Sequence, residues 1–187
     1  MEVIEGIMSR RSVRNFIKKK VEKKKIDIIL EAGRRAPSAG NRQPWRFIVV
    51  RDPKNKNKLY NATWRQPWIK NADTLIIVAA NPFDSWEHVR YGDIGGDWKN
   101  IYLLDVGASI ENMLLAAHSL NLGAVWVGAM NKLPVFEVIG EHKKEKRLEI
   151  ISIIAIGYPD PKKLGKQTSR KNKKDLFFSE KYGNVWR

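Results

Sequence analysis

The apolar positions of this chain fall into short runs with two different periods. Over 22–35, Ile26, Ile29, Leu30 and Gly33 recur at i, i+3, i+4 and i+7, which predicts a helix with one apolar face. It stops before Pro37, because a residue preceding proline is pushed out of helical backbone. Residues 2–9 predict a shorter helix that ends at the polar run 9–14. Residues 45–50 (WRFIVV) read as a strand closed by Arg51, Asp52 and Pro53, with Asp52 and Pro53 as cap and first residue of a helix over 53–62. The run 73–80 (DTLIIVAA) is continuously apolar after its first residues, the pattern of a strand buried on both faces.

Residues 82–100 are rich in Trp, Gly and Asp without a sustained period, and read as a long structured excursion. Ile101, Leu104, Ala108, Met113, Leu115, Ala116 and Leu120 then surround a helix over 101–121 on most faces. Such a helix belongs in the middle of a domain or in an interface. Gly123 follows its end, 124–128 (AVWVG) is a strand, 134–140 starts another helix, and 148–157 (LEIISIIAIG) is a last buried strand. Residues 160–187 carry no core. Leu176, Phe177, Phe178, Tyr182 and Trp186 have nothing of their own to pack on, so this tail reads as an arm laid over another surface.

At 187 residues with 43% apolar content, the chain is one domain with a real core, or a domain with an arm. It has no cysteine, so disulfides, thiolate metal sites and a cysteine nucleophile are excluded. The three histidines show no metal-ligand spacing. The apolar run 75–80 is far short of the roughly 20 residues that cross a bilayer, and no signal peptide is evident, so the reading is a cytoplasmic, soluble protein.

A net charge of +15 asks for an anionic partner. The excess lies at 18–25, 142–147 and 162–174. The first two abut helical patterns and read as solvated surfaces, and a lysine-rich composition also fits a thermophile. No zinc-finger, RNP or KH pattern accompanies the charge, so nucleic-acid binding stands only as the alternative.

Three stretches can carry chemistry. Arg10, Arg11, Ser12 and Arg14 place three guanidiniums and a hydroxyl within five residues, a donor set for phosphate or a polar ring; the ordinary alternative is a solvated turn. The loop 36–45 (APSAGNRQPW) is stiffened by two prolines, and Ser38 and Asn41 offer donors and acceptors; it is a ligand platform or a plain connection. Gly128, just past a strand, admits close backbone approach to a flat ligand, or only turns the chain. No GxGxxG follows a strand, so a Rossmann dinucleotide site is absent. No Ser–His pair or paired carboxylates suggest a hydrolase.

These pieces occur in a fixed order: RRSVR with Phe16, APSAGNRQPWRF, DVGASIENMLLAA with LNLGAVWVG, and IGYP before a basic segment. In that order, over about 8–170, the chain resembles the nitroreductase family of FMN-dependent NAD(P)H oxidoreductases. The resemblance implies an α+β fold, a small, mostly antiparallel sheet surrounded by helices. It implies a homodimer in which one FMN-binding domain spans 1–170 and a C-terminal arm, 171–187, wraps the partner. By the family pattern Arg10, Arg11, Ser12 and Arg14 hold FMN in one half-site. Pro37, Ser38, Ala39 and Asn41 match the stretch that reaches in from the other subunit. Gln66 matches a contact to the flavin pyrimidine, Val127 and Gly128 the backbone facing N5, and Arg170 the basic residue closing on the phosphate. The implied reaction passes a hydride from NAD(P)H to a small aromatic acceptor, nitro- or quinone-like, in ping-pong order. Flavin-fragmenting chemistry or reductive dehalogenation remain open within the family. Little room exists between 50 and 75 for an added lid of the kind iodotyrosine deiodinases use.

Overall fold

A computed structural model of the chain describes residues 1–84, 100–140 and 148–186. Most of the 82–100 excursion and the basic run 142–147 lie outside the described residues. The elements in order are α1 (Val3–Ser9), α2 (Lys23–Arg34), β1 (Trp45–Val50), α3 (Pro53–Ala62), α4 (Pro67–Asn71), β2 (Thr74–Ala80), α5 (Ile101–Ser119), β3 (Gly123–Val127), α6 (Lys132–Ile139) and β4 (Glu149–Gly157). The four strands form one sheet in the order β1-β2-β4-β3, with every neighbouring pair antiparallel.

The middle strand explains the layering. Every residue of β2 is buried. Ile76, Val78 and Ala80 point into a core shared with Ile26 and Ile29 of α2 and Val106, Ile110 and Met113 of α5. Leu75, Ile77 and Ala79 point the other way, to Leu59 of α3, Ile69 of α4 and Val135 of α6. The period of two thus feeds two cores, and helices cover both faces of the sheet. A register shift between Val78 and Ala79 lets β4 carry one extra residue there.

Helices α2 and α5 approach closely because Gly33 leaves room. A Cβ at Gly33 would stand 2.7 Å from Met113 Cγ and 3.1 Å from Phe47. The Ser109 hydroxyl donates to the Gly33 carbonyl at 3.0 Å, and the Asn112 amide donates to the Ala32 carbonyl at 3.2 Å. Asp52 caps α3 by accepting from the Asn55 amide at 2.9 Å. Pro53 occupies the first turn, as the sequence predicts.

One element and two boundaries depart from the sequence reading. The five-residue α4 is too short to show a period, and Pro67 starts it after Trp64 and Arg65, both in left-handed backbone. α6 begins at Lys132, where the Asn131 side chain accepts from the Leu133 amide, so Pro134 falls inside its first turn. α5 ends at Ser119, and Asn121 takes the left-handed conformation (φ 58°) that turns the chain into β3.

One half-buried polar junction ties three connections together. Asp73 Oδ2 accepts from the Val21 amide (3.1 Å), Arg51 Nη2 (2.6 Å) and the Thr74 hydroxyl (2.8 Å), and Arg51 also donates to the Val21 carbonyl. Burial pushes the carboxyl up, but these three donors outweigh it and hold Asp73 below its ordinary value of 3.8. Its stabilising contribution is therefore complete above the unfolded pKa and is lost as the pH falls below about 4. Asp73→Asn should lower the urea midpoint at neutral pH and flatten the loss of stability on acidification. An acid limb as steep as that of the parent protein would show that Asp73 does not contribute.

Candidate functional site

After α1 the chain runs extended along the free edge of β3. Ser12 bridges Ala124 in parallel, and the Val13 amide donates to the Ala124 carbonyl at 2.9 Å. Val13 is buried against Gly123, where a Cβ would stand 2.6 Å from Val13 Cγ1. Two residues beyond Arg14, Phe16 bridges Pro159 and lies over Gly157, where a Cβ would stand 2.9 Å from its ring. Residues 10–15 are therefore pinned at both ends. Val13 faces inward, and Ser12 and Arg14 are exposed.

A cleft of about 500 Å³ opens beside this segment. One wall is 10–15; the other is 163–168 with Arg170. The walls are tied together. Gln167 Nε2 donates to the Met8 carbonyl (2.7 Å) and the Arg10 carbonyl (3.4 Å), Arg11 Nη1 donates to the Gly165 carbonyl (2.5 Å), and Asn15 Nδ2 donates to the Lys163 carbonyl (3.4 Å). Six cations line the cleft: Arg10, Arg11, Arg14, Lys163, Lys166 and Arg170. No carboxylate is among the described residues lining it. Arg10 is held from behind by Glu111 of α5 at 3.2 Å. The Arg14 guanidinium sits 5.3 Å from the ring centre of Trp68 in α4. Behind the segment His118 meets the Ser9 hydroxyl at 2.8 Å, and burial, then the charges of Arg10 and Arg11, keep the imidazole pKa below its ordinary value.

Arg10, Arg11, Ser12, Arg14 and Arg170 are thus gathered at one cleft, although Arg170 lies far along the chain from the others. Pro37, Ser38, Ala39, Asn41, Gln66, Val127 and Gly128 do not line it. Gln66 is the cap residue of α4, the helix whose Trp68 meets Arg14. Val127 is buried in β3, and Gly128 follows with open space around the position of a Cβ. Gly128 lies on the order of 13 Å along the strand from Ala124, the partner of Ser12. The 37–41 loop packs on α5, where the Ala39 amide donates to Asp105 Oδ1 at 3.0 Å. The Ser38 hydroxyl accepts from the Gln43 amide at 3.0 Å. Asp105 is buried, its other oxygen has no partner among the described residues, and burial pushes its pKa up against the pull of the Ala39 amide.

Backbone strain concentrates in these connections. Asn41, Gln43, Trp64 and Arg65 all have positive φ, a conformation that costs a side-chain-bearing residue roughly 1–2 kcal/mol each. The sequence reading did not single out Lys163, Lys166, Gln167, Asn15 or Trp68. The basic run at 162–174 was the visible signal, but charge alone does not say which surface it faces. Among the described residues no group of three or more His, Asp or Glu could hold a metal ion, and no helix is long and apolar enough to cross a membrane.

Residues 7–75 and 61–158 match the Nitroreductase family, and the chain belongs to it. It is 32% identical over 169 residues to an Archaeoglobus fulgidus protein assigned as an NADH dehydrogenase/NAD(P)H nitroreductase, covering 87% of this chain and 88% of that one. It is 30% identical over 166 residues to the FMN reductase [NAD(P)H] of Bacillus subtilis, covering 84% and 66%. Its fold matches a Desulfovibrio desulfuricans protein assigned as a nitroreductase and crystallised with FMN. That match has TM-score 0.81 and 30% identity, covering 97% of this chain and 98% of the other. The α+β fold with its small antiparallel sheet is the nitroreductase fold.

The seat of the basic segment is directly testable. Gly123→Ala should overpack Val13, lower stability by about 1–3 kcal/mol and speed amide exchange at Val13 while leaving Ile77 in β2 protected. Unchanged exchange at Val13 would mean that Gly123 does not hold the segment.

Proposed function

We propose that the chain is an FMN-dependent NAD(P)H oxidoreductase that passes a hydride from the nicotinamide donor to a small aromatic acceptor, nitro- or quinone-like, in ping-pong order. The carrying observation is the cleft with six cations and no carboxylate lining it, in a chain of this family. A phosphate dianion offsets the mutual repulsion of those cations, and guanidiniums bind it through paired N–H donors. The residues fit FMN: Arg10, Arg11, Ser12 and Arg170 hold the phosphate and ribityl end. Arg14, steadied on Trp68, would hold the ring together with Gln66, and the backbone at Val127 and Gly128 would lie toward N5. Bound FMN supplies the acceptance and return of a hydride. Arg14 offers positive charge at the pyrimidine edge, where reduction concentrates negative charge. Water provides protons, so no side-chain acid or base is needed.

Residues 53–71 build α3 and α4, whose Leu59, Ala62 and Ile69 are buried in the core. They are structural elements rather than a lid over a charged substrate, which favours a flat acceptor over a zwitterionic one.

The site is completed in this reading by a second chain. Pro37, Ser38, Ala39 and Asn41, which do not line the cleft of their own chain, reach the FMN of the partner. The homodimer also covers the apolar surface that one chain leaves open. Leu104 of α5 is 74% exposed, and Tyr182 and Trp186 of the 171–187 arm are 93% and 65% exposed. Among the described residues the arm makes local contacts such as the Phe178–Val185 bridge and the Phe178–Tyr182 ring pair at 4.8 Å.

Purified protein should carry flavin absorbance through desalting and release FMN, not FAD, on denaturation. Arg14→Ala should weaken FMN by about 1.5–3 kcal/mol, while Lys24→Ala on the exposed face of α2 should not. Equal small effects would reduce the 10–14 segment to a basic turn. Truncation after Arg170 should weaken dimerisation and flavin binding together, measured by light scattering and flavin fluorescence. A full-length monomer that keeps stoichiometric FMN would overturn the shared site.

A further inference from the structure

A second basic hollow, of about 610 Å³, shares no lining residue with the arginine cleft. Lys18, Lys19 and Lys20 enter it from the segment before α2, Lys56 from α3, and Lys70 from α4. The run 18–25 is therefore not simply a solvated face. Its first three lysines meet two others that are distant in sequence. Lys25, further along the run, packs instead against Tyr158 and the Leu120 carbonyl.

Asp73 is the one carboxylate among the described residues lining the hollow, and Arg51, the Val21 amide and the Thr74 hydroxyl already occupy its Oδ2. Among the described residues, none of the five lysines takes part in an ion pair. Three are held in place by contacts other than ion pairs, while Glu22 acts on Lys19 and Asp73 on Lys56 from beyond ion-pair distance. Lys19 lies 4.0 Å from the ring centre of Tyr158, and Lys70 lies 5.5 Å from that of Tyr60. Half-buried Lys56 donates to the backbone carbonyls of Ala72 and Asp73. Like charges so arranged repel, and repulsion is strongest where one of them is partly removed from water. Burial, and then the nearby Arg51, favour the neutral amine of Lys56, against the pull of Asp73. Asn71 adds a polar side chain to the wall, and exposed Ile17 beside Phe16 adds an apolar shelf.

We propose that this hollow binds a compact, multiply charged phosphate, a di- or triphosphate group, either free or as the phosphate end of a nucleotide. Lysines act as point charges toward phosphate oxygens and need no fixed fork geometry. The volume is that of a small-molecule site. Five lysines lining one concavity suit a compact anion better than an extended polymer, which calls for a stripe of charge. Because Phe16 is two residues from Arg14, and Lys70 two from Trp68, the hollow lies next along the chain to groups that border the arginine cleft.

The test is isothermal titration of full-length protein, saturated with FMN, at about 0.15 M salt, using inorganic triphosphate and then ATP. Triphosphate should bind saturably, once per chain. Lys18→Ala combined with Lys20→Ala should weaken it on the order of tenfold or more. Lys24→Ala combined with Lys132→Ala, which removes two exposed lysines elsewhere, should change it less than about twofold. ATP binding equal to triphosphate identifies the phosphate group as the whole ligand. Tighter ATP binding that Ile17→Ala returns to the triphosphate value identifies a nucleotide with its base on the shelf. No saturable binding of either probe, binding that Lys18→Ala with Lys20→Ala leaves intact, or equal losses in the two double variants would overturn the proposal.

Discussion

The seating of residues 10–16 against two glycines is the contact on which the candidate site depends. Gly123 and Gly157 are paired neighbours at the β3–β4 edge, and each leaves a gap the width of a side chain. Val13 fills one gap and Phe16 covers the other. With those two side chains turned inward, Arg14 between them turns out toward solvent and the cleft. A Cβ at either glycine would displace the segment, and with it the four candidate residues from 10 to 14. The guanidiniums are thus aimed by packing, not by ion pairs, and only Arg10 has a carboxylate partner among the described residues.

The same edge explains how distant basic residues come together. β4 ends at Gly157, and the chain returns past Asn15, where the Asp160 amide donates to the Asn15 carbonyl at 2.9 Å. Residues 163–170 then run back along 8–15 and become the second wall. Concentrating six cations at a cleft is unfavourable by itself. The folded chain tolerates it because the core on both sides of β2 is extensive and apolar. The second hollow repeats the arrangement with lysines. The two differ in chemistry: mostly arginine guanidiniums line one, and lysines surround a carboxylate already paired with Arg51 in the other.

The sheet was largely legible in the sequence. The 75–80 and 150–157 stretches carry no charged residue, and burial on both faces of the sheet satisfies them. The 45–50 strand and 53–62 helix were legible through Asp52 and Pro53, because a cap and a proline act locally. α4 was not legible, since a five-residue helix shows no period and is fixed by the strained turn before it. At the site, the cluster Arg10, Arg11, Ser12 and Arg14 was visible as local composition, and the order of motifs named the family. The lining role of Lys163, Lys166 and Gln167 was not visible, because it depends on the return path of the chain after β4.

The sequence by itself determined the strands, the helices long enough to show a period or a cap, and that the chain carries a large positive charge without a disulfide. Those properties follow from period, caps and composition, which act over a few residues. Only the tertiary structure decided where the charge converges. Arg170 reaches Arg10 because Gln167 bonds back to the chain at Met8, and Lys18 meets Lys56 and Lys70 because Asp73, Arg51 and Val21 draw three connections to one point. A lysine's charge is set by its own chemistry, but its partners are set by contacts that span most of the chain.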